Sequence, residues 1–440
     1  MLRVKLSVVL ILLTLFHTGV FSQPQNADKF SEMESLRKQL ETLKTKLNAL
    51  TTEFTDSDSG AASLEIELAA ELGLKLPTAG MSQETLASRR NLFQNMNPNV
   101  SVIGSALGSA SSRENLKRNV DLIFQEGEFS FQAAVDPYAK ADFFIAFGRH
   151  QENDLIPQTS LEDGGGEIPH SEEEGGLQAE LEEAYITFLS LPFSTQLKIG
   201  KFRSKFGKIN ETHPHAHNFI DLPLMYSNFF GSEGLGDEGA SLNWLLPNKA
   251  FFQEFTFQIT SGPDENASFV RAENNKLLYL VHLKNFFDLN DNTTLELGIN
   301  GLSGPHNAAG ETTKMLAADL TFRWKPLQRN RRKSFELMSE AVVSRREGAA
   351  EDITSFGFFG FARYQLAQRW FLGALFDYAE FPQFKTDNRM AFSGILQLFA
   401  TEFQKVEFQC RHNRGSFFDS FNEFKVRAVF VIGAHGAHKY

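Results

Sequence analysis

Cysteine is almost missing from this chain. Cys410 is the only one in 440 residues, so no internal disulfide can stabilise an exported form. Long apolar runs are also missing. Past the N-terminus no run approaches the roughly 20 apolar residues that a membrane helix needs, which excludes a helical bundle in lipid. Positive charge is short: 43 Lys and Arg face 54 Asp and Glu, and nucleic acid is excluded as a partner. The chain has no nucleophile elbow, no His-Glu-x-x-His pair and no phosphate loop, so an enzyme is not expected. Phenylalanine is what it has in excess, 44 against 7 Tyr and 3 Trp. Phe at that density suits a surface facing hydrocarbon, or a Phe-rich soluble core.

The chain divides into four stretches. Residues 1–22 read as a secretory signal peptide: Arg3 and Lys5 precede the apolar run Leu6 to Phe16, and Val20-Phe21-Ser22 suits cleavage. No Cys lies nearby to carry a lipid anchor. Residues 28–55 read as a coiled coil, because Met33, Leu36, Leu40, Leu43, Leu47, Leu50 and Phe54 alternate spacings of three and four. So short a coil is marginal alone and needs partners held together by something else. An amphipathic helix on its own domain is the plainer alternative. Residues 56–97 read as a linker, with Ser82 to Gln94 able to form a helix capped by Ser82. From 98 to 440 the period changes to two.

That period predicts strands with one apolar and one polar face. Leu316, Ala318, Leu320, Phe322 and Trp324 alternate with Asp319, Thr321, Arg323 and Lys325. Phe424, Val426, Ala428, Phe430 and Ile432 alternate with Lys425 and Arg427. Similar patterns surround Phe255, Leu295 and Val406, and Cys410 falls on an apolar face. About sixteen such strands can be drawn between Val100 and Gly433. Tight turns are expected at Asp136-Pro137, Leu191-Pro192, Pro247-Asn248, Leu289-Asn290, Ala367-Gln368 and Glu402-Phe403. Between them come long polar links at 148–177, 203–237, 262–275, 301–312 and 380–387. Turns at one end and loops at the other describe a transmembrane antiparallel β-barrel, closed because an open edge in lipid would strand its amides. An even strand count puts both ends of the barrel, and the coiled coil, in the periplasm. Tyr440 ends the chain as an aromatic residue of the kind that barrel insertion machinery reads.

The run Leu181-Glu-Glu-Ala-Tyr-Ile-Thr-Phe-Leu-Ser-Leu-Pro-Phe193, followed by Leu197-Lys-Ile-Gly-Lys-Phe-Arg-Ser-Lys-Phe-Gly-Lys208, resembles the phosphate-selective porin O/P-like superfamily. Thr212-His-Pro-His-Ala-His217, Gly236 to Trp244 and Gly433 to Tyr440 are similar to a branch often labelled zinc-regulated outer-membrane receptors. The resemblance implies a 16-strand trimeric porin in the bacterial outer membrane, with lipid, small solutes or ions, and two further copies as partners. The receptor label would imply energised uptake. The chain departs from that, having no globular plug of suitable length before the barrel.

The link 203–237 is the expected constriction, carrying Arg203, Lys205, Lys208, Glu211, Asp221, Glu233 and Asp237. Charges there would set ion entry, since a low-dielectric wall strengthens their field; an ordinary solvated loop is the alternative. His213, His215 and His217 are a candidate zinc site, and a His cluster without metal is the alternative. His435 and His438 read as packing residues. The acidic link 148–177 reads as a solvated loop. Lumen-facing charges are mixed, with Lys198, Arg323, Arg411, Lys425 and Arg427 against Asp142, Glu254, Glu296, Asp319 and Glu407. No phosphate-filtering ladder of Arg and Lys stands out. The favoured reading is a passive channel for small hydrophilic solutes. Alternatives are a metal-associated receptor and a barrel tethering the envelope.

Overall fold

The computed structural model describes residues 98–113, 119–148, 178–264, 266–272, 276–329, 331–348 and 351–433. The signal peptide, coiled coil, linker to residue 97, link 149–177, His435, His438 and Tyr440 lie outside them.

Sixteen antiparallel strands close on themselves in chain order. They are β1 (Asn99–Ser111), β2 (Val120–Asp136), β3 (Ala139–Gly148), β4 (Gln178–Leu191), β5 (Thr195–Arg203), β6 (Gly236–Leu245), β7 (Phe252–Thr260) and β8 (Leu278–Asn290). Then follow β9 (Thr293–Pro305), β10 (Thr312–Trp324), β11 (Phe335–Arg346), β12 (Ile353–Ala367), β13 (Trp370–Glu380), β14 (Asn388–Thr401), β15 (Gln404–Gly415) and β16 (Phe421–Gly433). β1 pairs β16 from Ser101↔Gly433 to Ser111↔Glu423, which removes both free edges.

The alternation sorts side chains by face. On β10, Thr313, Met315, Ala317, Asp319 and Thr321 are buried inward, while Leu316 is 63% exposed outward. On β16, Arg427 is 1% exposed inside and Ile432 61% exposed outside. Cys410 is exposed on the outer face. Each large apolar side chain left in water forgoes about 1.5–3 kcal/mol. Nearly every strand presents one, among them Leu122, Phe143, Phe257, Ile299, Phe356 and Phe392. Such a surface is stable against hydrocarbon and not against water.

Links alternate in length as expected, with local corrections. β8 continues to Asn290, so the turn is Asp291-Asn292 and not Leu289-Asn290; Asn290 pairs Thr293 across it. The turns after β2 and β12 each fall one residue later than expected, at Pro137-Tyr138 and Gln368-Arg369. The link expected at 301–312 shrinks to 306–311, because the ladder between β9 and β10 extends to Pro305↔Thr312. β1 runs to Ser111, beyond the expected residue 107: its small Gly, Ala and Ser side chains show no alternation, yet both neighbours pair it.

Candidate functional site

The link between β5 and β6 is folded into the barrel. Its residues Phe206, Ile209, Phe219, Leu224, Met225, Tyr226, Phe229, Phe230 and Leu235 are all buried. It contains α1 (Leu224–Phe230), which packs against β12, β13 and β14. The inner face there is apolar to receive it, through Met338, Val342, Phe359, Phe361, Leu375 and Ile395. Gly357 lies under α1: a Cβ at that position would come within 2.8 Å of Met225 Cβ.

Polar contacts carry the link around the bore. Lys205 pairs Glu254 on β7, and its backbone N–H donates to Gln258 at 2.9 Å. Lys208 Nζ meets Glu296 of β9 at 2.6 Å. Glu340 of β11 accepts from the N–H of Lys208 at 2.9 Å, the N–H of Ile209 at 3.2 Å and the Tyr226 hydroxyl at 2.5 Å. Gly207 makes this corner possible. Its φ is +60°, and a Cβ would collide with the Glu340 carboxylate.

Farther along, Arg363 of β12 donates to Asn218 Oδ1 at 2.5 Å, and Gln397 of β14 donates to Asn218 O at 3.1 Å. Lys405 of β15 donates to the carbonyls of His215 and His217, at 3.1 and 2.8 Å. Arg427 of β16 donates to those of Pro214, His217 and Phe219. Asp221 meets Lys425 at 2.6 Å and accepts from Gln409 at 2.8 Å. Burial alone would raise the Asp221 carboxyl; Lys425 and then Arg411 outweigh it and hold it below its ordinary value.

The expected constriction residues therefore separate. Arg203, Lys205, Lys208 and Asp221 face wall partners, Arg203 being within 3.4 Å of Glu182. Glu211 and Glu233 are exposed. Asp237 is the second residue of β6, where Arg271 of the β7–β8 link donates to it at 3.3 Å. Of the wall charges, Lys198 lies over the Tyr185 ring, Lys140 is 3.0 Å from Asp142, and Arg323 pairs Glu336 at 2.9 Å. Arg411 pairs Asp377 at 3.1 Å, and Arg427 pairs Glu407 at 2.5 Å.

The three histidines are not gathered together. His213 and His215 stack with centroids 5.7 Å apart and face β2 and β4. His217 turns away, packing at a tilt against Phe219 and donating from Nε2 to the Thr212 carbonyl at 3.0 Å. Pro214 opens a single 3-10 turn, Pro214–Ala216, and breaks the extended run in which alternate imidazoles would share a face. Burial, then Arg427 and Arg203, push His217 down to about 3. Burial also opposes charge on His213, but the Glu128 carboxylate beside it wins and holds the imidazole well above its ordinary range. Sequence reading missed the carboxylates Glu126, Glu128, Glu182, Glu183 and Glu340 that receive the link. The one visible signal was the doubled Glu182-Glu183, which no strictly alternating strand contains; a β-bulge between Phe144 and Ile145 accommodates it.

No protein-family model matches the chain. An uncharacterised protein of Aquifex aeolicus is 29% identical over 316 residues, 62% of this chain, and the chain spans 65% of that relative's length. Among solved structures, the anion-selective porin of Comamonas acidovorans superposes with a TM-score of 0.50 at 8% identity, over 76% of this chain and 99% of that one. Pseudomonas putida OprB gives 0.49 at 9% identity, over 80% of this chain and 98% of that one. The first likeness is one of fold: the chain shares the closed antiparallel barrel of that porin.

Proposed function

We propose that the protein is a porin-like channel of the bacterial outer membrane, passing small hydrophilic solutes or ions through a bore narrowed by residues 204–235. Its main support is the division of faces, apolar outside and charged inside, around an inward-folded link. Strands of nine residues or more are long enough to cross the hydrocarbon. The resemblance of 181–246 to phosphate-selective porins agrees with this reading, and so does the fold shared with a solved porin. The wall charges occur mainly as pairs, Arg411 with Asp377 and Arg427 with Glu407 among them, which favours weak ion selectivity. A periplasmic coiled coil at 28–55, a homotrimer and insertion through a C-terminal signal at Tyr440 complete the proposal.

Single-channel recording in a planar bilayer under a salt gradient tests it. Discrete conductance steps that increase when residues 210–232 are deleted are expected. A folded barrel that conducts in neither form would end the channel reading.

A further inference from the structure

Where the inward link meets β2 and β4, four carboxylates converge on two imidazoles. Glu126 and Glu128 lie two apart on β2 and so share a face. His213 Nδ1 is 2.8 Å from Glu182 Oε2 and 3.0 Å from Glu128 Oε2, and its Nε2 is 2.8 Å from Glu183 Oε1. His215 Nδ1 is 3.5 Å from the same Glu128 oxygen. Two overlapping triads result, Glu126–Glu128–His215 and Glu128–Glu182–His213, with ligand-capable atoms within 4.8 Å of one another. Phe144 of β3 packs on the His213 ring at 5.0 Å and keeps the floor apolar.

Glu128 is the group left over. The single Nδ1 position of His213 hydrogen-bonds Glu182 at 2.8 Å. The Glu128 side chain, 1% exposed, then has no hydrogen-bond donor on either oxygen, and Glu126 Oε1 has none. A carboxylate so buried calls for a counter-ion or a metal. The cations nearby are shared or engaged: His213 Nδ1 lies 3.0 Å from Glu128 but donates its hydrogen bond to Glu182, Arg203 meets Glu182 and Glu233, and Lys198 lies over the Tyr185 ring.

We propose that Glu126, Glu128 and His215 bind one divalent transition-metal ion, with His213 bracing the carboxylates from outside the ligand shell. A mixed nitrogen and oxygen set suits Zn2+, Mn2+ or Fe2+, whereas Ca2+ and Mg2+ prefer oxygen alone. Bonds of about 2.0–2.2 Å hold ligand atoms about 3–4 Å apart, so small side-chain rotations close the triad. His215 belongs to the inward link and the two carboxylates to the wall. The ion would pin the link to β2, across the bore from its anchor at Glu340. This holds whether or not the barrel conducts.

The test uses the full chain in detergent, stripped with chelator and titrated with Zn2+ by calorimetry and with Mn2+ by paramagnetic resonance. One ion per chain is expected, with Zn2+ displacing Mn2+ and slowing proteolysis of the link. Glu128→Gln keeps the side-chain volume and should weaken binding at least about tenfold, the scale of even outer-shell partners, and His215→Ala should do the same. His412→Ala, on the outer face of β15, should leave binding unchanged. Heat-modifiable gel mobility confirms that each variant is folded. The proposal is overturned if folded wild type binds neither ion stoichiometrically, or if the Glu128→Gln/His215→Ala double variant binds normally. Binding lost in His217→Gln but kept in Glu128→Gln would also overturn it. Conductance is not among the readouts, so failure here leaves the channel proposal standing.

Discussion

The Tyr226 hydroxyl donates to Glu340 Oε2 across 2.5 Å and ties α1 to β11. The other oxygen of Glu340 takes two backbone N–H groups of the same link, so one carboxylate anchors two of its turns. Glu340→Ala leaves three donors without their acceptor, each costing about 1–3 kcal/mol if it stays buried. We expect larger or noisier single-channel currents and faster tryptic cleavage after Lys205 and Lys208. Tyr226→Phe should show the same effects more weakly. Unchanged currents in both variants would mean that the link is held elsewhere.

Arg427 and Glu407 form an ion pair at 2.5 Å, and Arg427 also caps three carbonyls of the link. Removing one partner of a buried pair costs about 3–5 kcal/mol, because the other charge remains. Arg427→Met should therefore lower the temperature at which the barrel loses its compact gel mobility. Adding Glu407→Leu should restore part of the loss.

Asp221 gives the link a response to acid. Its carboxyl titrates below the ordinary 3.8 because Lys425 and Arg411 face it, with Arg427 beyond. A group depressed in the fold contributes stability that is complete above its unfolded value and disappears as pH falls through the folded one. The latch to Lys425 should therefore hold at neutral pH and loosen only below about pH 4. Conductance recorded from pH 7 to 3 should rise at the acid end. Asp221→Asn should show the raised conductance already at pH 7 and respond less to acid.

Leu316 tests the outward face. It lies mid-strand on β10 and points away from the bore. Arg at a lipid-facing midplane position costs about 2–4 kcal/mol in a barrel. Leu316→Arg should lower unfolding stability in lipid vesicles by that order and leave channel conductance nearly unchanged. An unaffected denaturation midpoint would show that this face does not meet hydrocarbon.

Much of the barrel could be read directly. β10 and β16 alternate cleanly because one face meets the exterior and the other the bore, and the strand count followed from such segments. β12 was less transparent. Phe356 and Phe358 point out while Phe359 and Phe361 point in, so its pattern is apolar on both faces. Only the inward link, a distant segment, explains the inward pair: Tyr226 of α1 packs on Phe359, and Phe219 ahead of α1 packs on Phe361. The same distance hid the reception of the link. Glu128 and Glu340 look like ordinary polar positions of alternating strands, and nothing local tells that residues 206–226 lie against them. The histidines were visible as a group, but one turn at Pro214 sends His217 a different way.

The aromatic inner wall of β12 ties two parts of the gene together. Phe359 and Phe361 are dry only while the inward link covers them, through Tyr226 of α1 and through Phe219. A descendant with a trimmed link would expose greasy rings to water unless those codons changed as well. Length variation in this segment should therefore be inherited jointly with polarity at 359 and 361, a correlation that any set of related genes can reveal.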